Sequence, residues 1–319
     1  MKKWIAIVLV LGVMASFAGC TGGNEKVDGT YQVGICQLVQ HPALDAATEG
    51  FQEALKEQLG DKVSFDVQNA SGESVNCATI INGFVSNDVD LILANATAPL
   101  QAAASATAEI PVLGTAVTDY ASALELENWN GTVGTNVSGT SDLAPLDQQA
   151  AMVKELFPEA KTVGLLYCSA ESNSQYQVDV MTKELEALGY SCTPYSFTDT
   201  NDVASVTQAA CKSDVIFIPT DNTAAANTEA IANVVLAEGV PVVASEAGIC
   251  SGCGVATLSI SYKDLGYKTG LMAAKILKGE AEVSKMPVEF AGNPSKMYNA
   301  ANCKTLGITP PDGYSPLPE

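Results

Sequence analysis

Acidic and amide side chains stand at the points where apolar, strand-like segments of the chain end. Asp221 and Asn222 follow the run 214–218, and Glu171 follows the run 162–167. A carboxylate can hold an ammonium group, and amides and hydroxyls can orient the polar groups of a ligand by hydrogen bonds. These residue types favour noncovalent binding of a small molecule that carries an amine.

Residues suited to covalent or metal chemistry are few. His41 is the only histidine, and no Gly-x-Ser-x-Gly elbow occurs. A nucleophile that needs a neighbouring base therefore has few partners. The pair Cys250 and Cys253 has zinc-like spacing but no second pair or histidine nearby, which supports zinc only weakly. The sequence predicts no catalytic residue, no metal and no cofactor.

The charge of the chain limits its partners. All 16 basic residues are Lys, against 36 acidic residues, and the net charge is −20. A nucleic-acid partner is not expected, because phosphate binding needs a basic face. Any site for an anion must work without the guanidinium fork of Arg, through hydroxyls and helix N-termini.

The first twenty residues have the pattern of an export signal. Lys2 and Lys3 precede an apolar run at 4–17, and Cys20 follows two small residues, which resembles a bacterial lipobox. We predict a signal peptide at 1–19, lipid attachment at Cys20, a polar tether over 20–29 and a location on the outer face of the cytoplasmic membrane. The alternative is a plain signal peptide with a chance cysteine. Eight cysteines remain, and their disulfide pairing cannot be deduced from the sequence.

From residue 31 onward, strand-like and helix-like segments alternate. We predict strands at 31–39, 63–68, 90–94, 111–113, 132–137, 162–167, 191–197, 214–218, 241–244, 255–260 and 288–290. We predict helices at 43–59, 75–84, 99–108, 146–157, 175–188, 203–211, 224–238 and 265–277. Alternation of this kind predicts an α/β fold with two Rossmann-like lobes and parallel sheets. The small, polar segment 135–142 joins the two runs and suits a hinge.

Ligands of parallel α/β sheets bind at the carboxyl ends of the strands. The predicted loops there are 37–45, 69–73, 95–100, 114–120, 168–175, 198–202, 219–223 and 245–253. They carry many hydroxyls, amides and acids but no Lys. Such a cleft should attract an ammonium group. For each acid, a helix cap is the alternative explanation, because acids are also favoured at helix starts. The cap is preferred for Glu73 and Asp202, a ligand role is preferred for Asp221, and both explanations stay open for Glu171 and Glu246.

Several short motifs occur in order along the chain. They are His41-Pro42-Ala43-Leu44-Asp45, Thr115-Ala116-Val117-Thr118-Asp119, Gly139-Thr140-Ser141-Asp142, Pro219-Thr220-Asp221-Asn222 and Leu265-Gly266-Tyr267-Lys268-Thr269-Gly270. Together they resemble the tryptophan/tyrosine-type substrate-binding lipoproteins of ABC transporters over nearly all of 30–310. The resemblance implies a type 1 periplasmic-binding-protein fold with a three-segment hinge. It implies lobe 1 at 30–138 plus about 260–285, and lobe 2 at 139–259 plus about 286–319.

The same resemblance, with the cleft loops, implies a set of ligand-binding residues for an aromatic amino acid. They are Gln37, Leu38, Thr97, Thr115, Ala116, Thr118, Ser169, Glu171, Asn173, Ser174, Asp221, Asn222 and Glu246. Trp129 is the only Trp beyond the signal region, so recognition of the ring is expected to rest on Tyr, Phe or aliphatic side chains.

Two classes of function follow from the sequence. The first is a solute receptor whose lobes close on an aromatic amino acid and which delivers it to an ABC permease. A sensing module for another small amine, a nucleoside or a sugar would share the same fold. The second class, a secreted enzyme, is disfavoured because no base stands beside a candidate nucleophile.

Overall fold

The computed structural model describes residues 29–318. The predicted signal peptide at 1–19, the lipid-attachment residue Cys20 and nearly all of the tether lie outside the described residues. Thirteen strands and twelve helices lie within 29–318. Three single turns of 3-10 helix, at Gly60–Lys62, Thr200–Asp202 and Val283–Lys285, add to them.

The strands are β1 Tyr31–Gln37, β2 Val63–Asn69, β3 Leu91–Asn95, β4 Val112–Val117, β5 Val137–Ser141, β6 Thr162–Cys168, β7 Ser191–Phe197, β8 Val215–Ile218, β9 Val242–Ala244, β10 Ala256–Ser259, β11 Glu289–Phe290, β12 Ser295–Tyr298 and β13 Ser315–Pro316. The helices are α1 Pro42–Leu59, α2 Ser74–Ser86, α3 Thr97–Ala106, α4 Tyr120–Ala123, α5 Leu146–Leu156, α6 Ser172–Ala187, α7 Val203–Ala210, α8 Asn222–Ala226, α9 Thr228–Glu238, α10 Ala247–Gly252, α11 Tyr262–Leu277 and α12 Ala300–Leu306.

The strands form two sheets with the same winding. The first has the order β11-β5-β4-β3-β1-β2, and the second has the order β13-β12-β10-β9-β8-β6-β7. In the second sheet, β12 runs antiparallel to β10, whereas the strands that alternate with helices pair in parallel. In each sheet the strand order reverses beside its first strand, between β1 and β3 or between β6 and β8. The predicted α/β fold with two Rossmann-like lobes is confirmed.

Both faces of each sheet are covered by helices. The central strands β3 and β8 are buried over their whole length, as expected for parallel strands between helix layers. On the first sheet, α11 packs against α1 at very short range. A Cβ on Gly266 would lie 1.9 Å from the carbonyl oxygen of Ala47, so only glycine permits this approach. The late helix α11 is thereby fixed to the first lobe.

Over residues 29–318 the chain crosses between the lobes three times. It crosses between β5 and α5, between β10 and α11, and between β11 and β12. The pairing differs from the predicted division at two points: β5 extends the first sheet to Ser141, and Glu289–Phe290 pairs with β5 rather than with the second sheet. The predicted strand at 132–137 is displaced for the same reason, because the paired segment is Val137–Ser141.

The eight cysteines within 29–318 are free thiols, and six of them are buried. Burial raises the pKa of the Cys168 thiol to about 11, so it stays protonated at neutral pH. Among the described residues, no helix is long and apolar enough to cross a bilayer.

Candidate ligand-binding cleft

Two cavities lie between the lobes, at the carboxyl ends of the strands. The outer chamber has a volume of about 320 Å³ and is lined from both lobes, by Leu38 and Thr97 on one side and Glu171 on the other. The inner pocket has a volume of about 20 Å³. Asn173 and Asn222 line both cavities, so the two are neighbours. Both cavities lie where the strand order of each sheet reverses, which is the expected position for a ligand.

Side chains of the two lobes meet across the cleft. The Nε2 atom of His41 lies 3.2 Å from Oδ1 of Asn222, and the hydroxyls of Thr118 and Thr220 are 3.3 Å apart. In each pair, one residue follows a strand of the first sheet and the other follows β8 of the second. These contacts place the lobes in a closed arrangement.

The outer chamber combines an apolar wall with the starts of long helices. Leu38, Val39 and Val75 supply aliphatic surface. Among residues 29–318, no aromatic or basic residue lines this chamber, and its acids are Glu73, Glu171 and Asp199. Helices α2, α3 and α6 begin at the chamber, and none has a side-chain hydrogen bond capping its N-terminus. Since the first N–H groups of a helix have no partner within it, this chamber offers backbone donors and a positive helix-dipole potential.

The two acids of the inner pocket from lobe 2 are already engaged by backbone donors. Asp221 accepts from the N–H of Ala224 at 2.7 Å, capping α8, and from the N–H of Cys168 at 2.6 Å. Glu246 accepts from the N–H groups of Gly248 and Ile249, capping α10. Both carboxylates thus hold the loops of lobe 2 in place.

Glu171 has a similar role at the boundary of the cavities. Its carboxylate accepts from the backbone N–H groups of Asn222 and Thr223, at 3.0 and 2.8 Å. It also accepts from the Nδ2 amide of Asn222 at 2.6 Å and from the Thr223 hydroxyl at 2.8 Å. Glu171 therefore tethers the start of α8 to the start of α6.

Asp142 and His41 differ from these three acids because each retains one atom without a hydrogen-bond partner among the described residues. In Asp142 this atom is a carboxylate oxygen, and in His41 it is a ring nitrogen. Asp142 is 4% exposed, and its Oδ2 accepts from the Tyr262 hydroxyl at 2.8 Å. Its Oδ1 has no hydrogen-bond partner among the described residues, although the Thr118 hydroxyl is close enough to lower the carboxyl pKa. His41 is 6% exposed, and its Nδ1 has no partner there either.

Burial shifts the ionisation of every acid in the inner pocket in the same direction. It raises the pKa of Glu246 to about 7. Burial, followed by the charge of Glu171, raises the pKa of Asp221 to about 8. Burial also raises the pKa of Asp142 and lowers that of His41, so the imidazole is neutral at pH 7. The pocket therefore concentrates acids, and no basic residue of the described chain lines it.

The backbone at the first-lobe side of the cleft is strained. Ala96, just before α3, has φ of 100°, and Ala116, at the end of β4, has φ of 52°. Such conformations are unfavourable for residues with a Cβ and persist where the surrounding structure fixes them. Here they turn the chain so that Thr97 and Thr118 face the cleft.

The structure brings most of the predicted site residues to the two cavities. Those that line one or both cavities are Leu38, Thr97, Ala116, Thr118, Glu171, Asn173, Asp221, Asn222 and Glu246. The other four line neither cavity; they are Gln37, Thr115, Ser169 and Ser174.

These four residues have contacts inside their own lobes. Gln37 accepts from Thr48 and donates to Asp45, so it braces the first loop from within lobe 1. Thr115 is fully buried beside the hydroxyl of Thr140, 3.3 Å away.

Several cleft residues escaped the predicted set. Asp142 and Tyr262 line the inner pocket, and Gln101 and the loop Ser71–Val75 line the outer chamber. Asp142 had one usable signal, since it ends the motif Gly139-Thr140-Ser141-Asp142 in the predicted hinge segment. Tyr262 had none: the return of 260–285 to lobe 1 was implied by the resemblance, but nothing in the sequence indicates that this side chain reaches the inner pocket.

A bilobed α/β fold with closed lobes and a ligand-sized cavity between them defines a solute-binding protein. Residues 32–318 match the family model described as ABC transporter substrate binding protein, and the chain belongs to this family. It is similar to the tyrosine-binding protein of Clostridioides difficile, with 34% identity over 323 residues, covering 96% of this chain and 93% of the relative.

Solved structures show the same relationship. An ABC domain from Streptococcus pneumoniae in complex with L-Trp is 33% identical, with a TM-score of 0.84 over 89% of this chain and 96% of that one. The ligand-free, open structure of a Clostridium difficile substrate-binding protein with adhesive properties is 37% identical, with a TM-score of 0.69 over 90% and 99%. The fold thus superposes better on the L-Trp complex than on the open structure, despite lower identity, which agrees with the closed lobes.

Proposed function

We propose that this protein is the extracytoplasmic receptor of an ABC importer for an aromatic amino acid. Its lobes close on the free amino acid, and the closed form delivers it to the permease without chemical change. The relatives that bind tyrosine or L-Trp support this ligand class. The outer chamber of about 320 Å³ lies within the usual range for small-molecule sites, roughly 300–1,000 Å³.

The observation that carries the proposal is the difference between the two neighbouring cavities in the hydrogen-bonding groups that remain unused. The outer chamber offers helix N-termini and an aliphatic wall; of its three acids, Glu171 and Asp199 already accept from backbone N–H groups and Glu73 is exposed. The inner pocket offers the buried carboxylate of Asp142, whose Oδ1 has no hydrogen-bond partner among residues 29–318. A zwitterionic amino acid has the matching pair of charges a short distance apart. Its carboxylate would meet the helix N-termini, which bind anions without Lys or Arg. The aliphatic wall would pack against the ring.

A thermal-shift screen with the twenty amino acids, nucleosides and sugars tests this function. We expect stabilisation by an aromatic amino acid of about 2.7 kcal/mol when its concentration is 100 times the Kd. Recovery of the unchanged ligand after incubation checks that no reaction occurs. A stabilising sugar or nucleoside in place of an amino acid, or no shift with any amino acid, would contradict the proposal.

The lipid anchor is part of the same proposal and is tested separately. Cys20 follows an apolar run and two small residues, as lipid-attachment sites of exported proteins do. A lipidated Cys20 would keep the receptor beside its permease at the outer face of the cytoplasmic membrane. Fractionation of cells that express the wild type or Cys20→Ser should show the variant released from the membrane. Equal membrane association of both would count against the anchor.

A further inference from the structure

The inner pocket is sized for one small polar group. Its volume of about 20 Å³ compares with the roughly 10–15 Å³ that one water molecule needs by the same kind of measure. An ammonium group is similar in size to a water molecule. An aromatic ring or a carboxylate with its flanking carbon is larger and fits only the outer chamber.

The hydrogen-bond network fixes the state of His41. The Nδ2 amide of Asn222 donates to Glu171, so the Oδ1 of the same amide faces Nε2 of His41 and must accept from it. Nε2 therefore carries the proton, and Nδ1 of the neutral ring is an acceptor without a partner. The pocket has a second such atom, Oδ1 of Asp142. Two unpaired, buried acceptors call for a donor from the ligand.

The charge of the pocket points to a cationic donor. Asp142, Asp221 and Glu246 line it, and no Lys within residues 29–318 does. Buried carboxylates without a counter-ion are strongly unfavourable, and a partner cation relieves that penalty. Asp221 and Glu246 are partly compensated by the backbone N–H groups that they cap. In the described part of the chain, the carboxylate of Asp142 has only the Tyr262 hydroxyl as a partner at normal hydrogen-bond geometry.

We propose that the inner pocket is the subsite for the α-ammonium group of the ligand, with the Asp142 carboxylate as its charge partner and His41 Nδ1 as a second acceptor. This inference rests on the proposed function and assigns the amine to lobe 1. The acids that hold the loops of lobe 2 keep a structural role. An amino acid bound this way has its ammonium at the inner end and its carboxylate and ring in the outer chamber.

Binding of matched ligand pairs to Asp142→Asn tests the subsite. Isothermal titration of the mature protein would use L-tyrosine and L-tryptophan, each with its analogue that lacks the α-amino group. We expect Asp142→Asn to weaken amino-acid binding by about 100-fold or more, because it removes one partner of a buried charge pair. Binding of the analogues should stay within about threefold of the wild type, since they make no such contact. Asp147→Asn, the same change at an exposed position five residues away, is the control.

A second variant guards against failure of Asp142→Asn to fold. Tyr262→Phe removes the hydroxyl that holds Oδ2 and keeps the ring, and we expect a loss of roughly tenfold for the amino acids alone. Equal losses for amino acid and analogue in either variant, or amino-acid binding within threefold of wild type in Asp142→Asn, would overturn the subsite. Wild-type protein that binds neither amino acid would instead contradict the proposed function and remove the basis of the subsite with it.

Discussion

The outer chamber and the inner pocket are built from the same structural unit, the start of a helix after a parallel strand, but they use it in opposite ways. At the outer chamber, α2, α3 and α6 start without a side-chain hydrogen bond to their first N–H groups. At the inner pocket, α8 and α10 are capped by Asp221 and Glu246, which consume the donors. The result is a cleft with donors at one end and unused acceptors at the other.

This difference shows that the presence of an acid in a cleft does not define its role. Asp221 and Asp142 are both buried carboxylates that line the inner pocket. Asp221 accepts from two backbone N–H groups, whereas Asp142 retains an oxygen without a partner. An acid can therefore bind a ligand only through a carboxylate oxygen that does not already accept hydrogen bonds from its own lobe.

The largest expected effect on stability separates these two acids. Asp221→Ala removes the cap of α8 and leaves the buried N–H of Cys168 unpaired. We expect its free energy of unfolding to fall by roughly 2 kcal/mol, from the lost cap and the lost buried hydrogen bond. Urea unfolding of the ligand-free protein measures this change.

The comparison with Asp142→Asn makes that result decisive. We expect Asp142→Asn to change the unfolding free energy little and ligand affinity greatly, and Asp221→Ala to do the reverse. If Asp221→Ala abolished amino-acid binding at unchanged stability, Asp221 would be the charge partner of the amine, and the contrast between the acids would fail.

The next effect concerns the donors of the outer chamber. Ser172 is the first residue of α6, and its side chain is exposed. Proline is tolerated at this position, and Glu171 before it has the extended ψ of 110° that proline requires. Ser172→Pro thus removes one N–H and little else. We expect amino-acid affinity to fall roughly tenfold, the value of one hydrogen bond to a charged group.

Ser172→Ala is the matched control, since it removes the hydroxyl and keeps the N–H. Its affinity, measured by the same titration, should equal that of the wild type. Should both variants bind equally well, the start of α6 would not hold the ligand carboxylate, and the polarity of the outer chamber would need another explanation.

The fold was predictable where the buried segments consist of apolar residues. Strand β3 is an apolar run buried throughout, and the predicted segment 90–94 nearly coincides with it. Strand β5 is equally buried but reads as a polar linker, Val-Ser-Gly-Thr-Ser. Its hydroxyls are satisfied by distant groups: Ser138 donates to the carbonyl of Met286, and Thr140 lies 2.8 Å from the Thr269 hydroxyl. Partners so far along the chain leave no local signal.

The site was predictable in its location but not in its division of roles. Hydroxyls, amides and acids after the strands indicated the cleft, because strand ends of parallel sheets converge. Whether an acid caps a helix or faces a ligand depends on single N–H directions, which the residue type does not specify. Glu246 and Asp142 have similar chemistry in the sequence, yet only Glu246 bonds to backbone N–H groups of the following helix.

The smallest expected effect is the pH dependence of amino-acid binding. Burial raises the pKa of Glu246 to about 7 and of Asp221 to about 8, and it also raises that of Asp142. In the closed, ligand-free form these buried acids bind more protons than they would in a form that exposes them to water. The closed form therefore loses stability as the pH rises through these values. The other ionisable groups around these acids include His41, Tyr120, Cys168, Glu171, Cys250, Cys253 and Tyr262.

An entering ammonium favours the charged carboxylates and must displace their protons. We therefore expect affinity for L-tyrosine to rise by roughly threefold between about pH 6 and 8. The analogue without the α-amino group provides no cation, so its affinity should stay constant or fall over the same range. Titrations of both compounds at several pH values check this difference. Parallel profiles would mean that the acids act on closure alone and that the inner pocket does not recognise the amine.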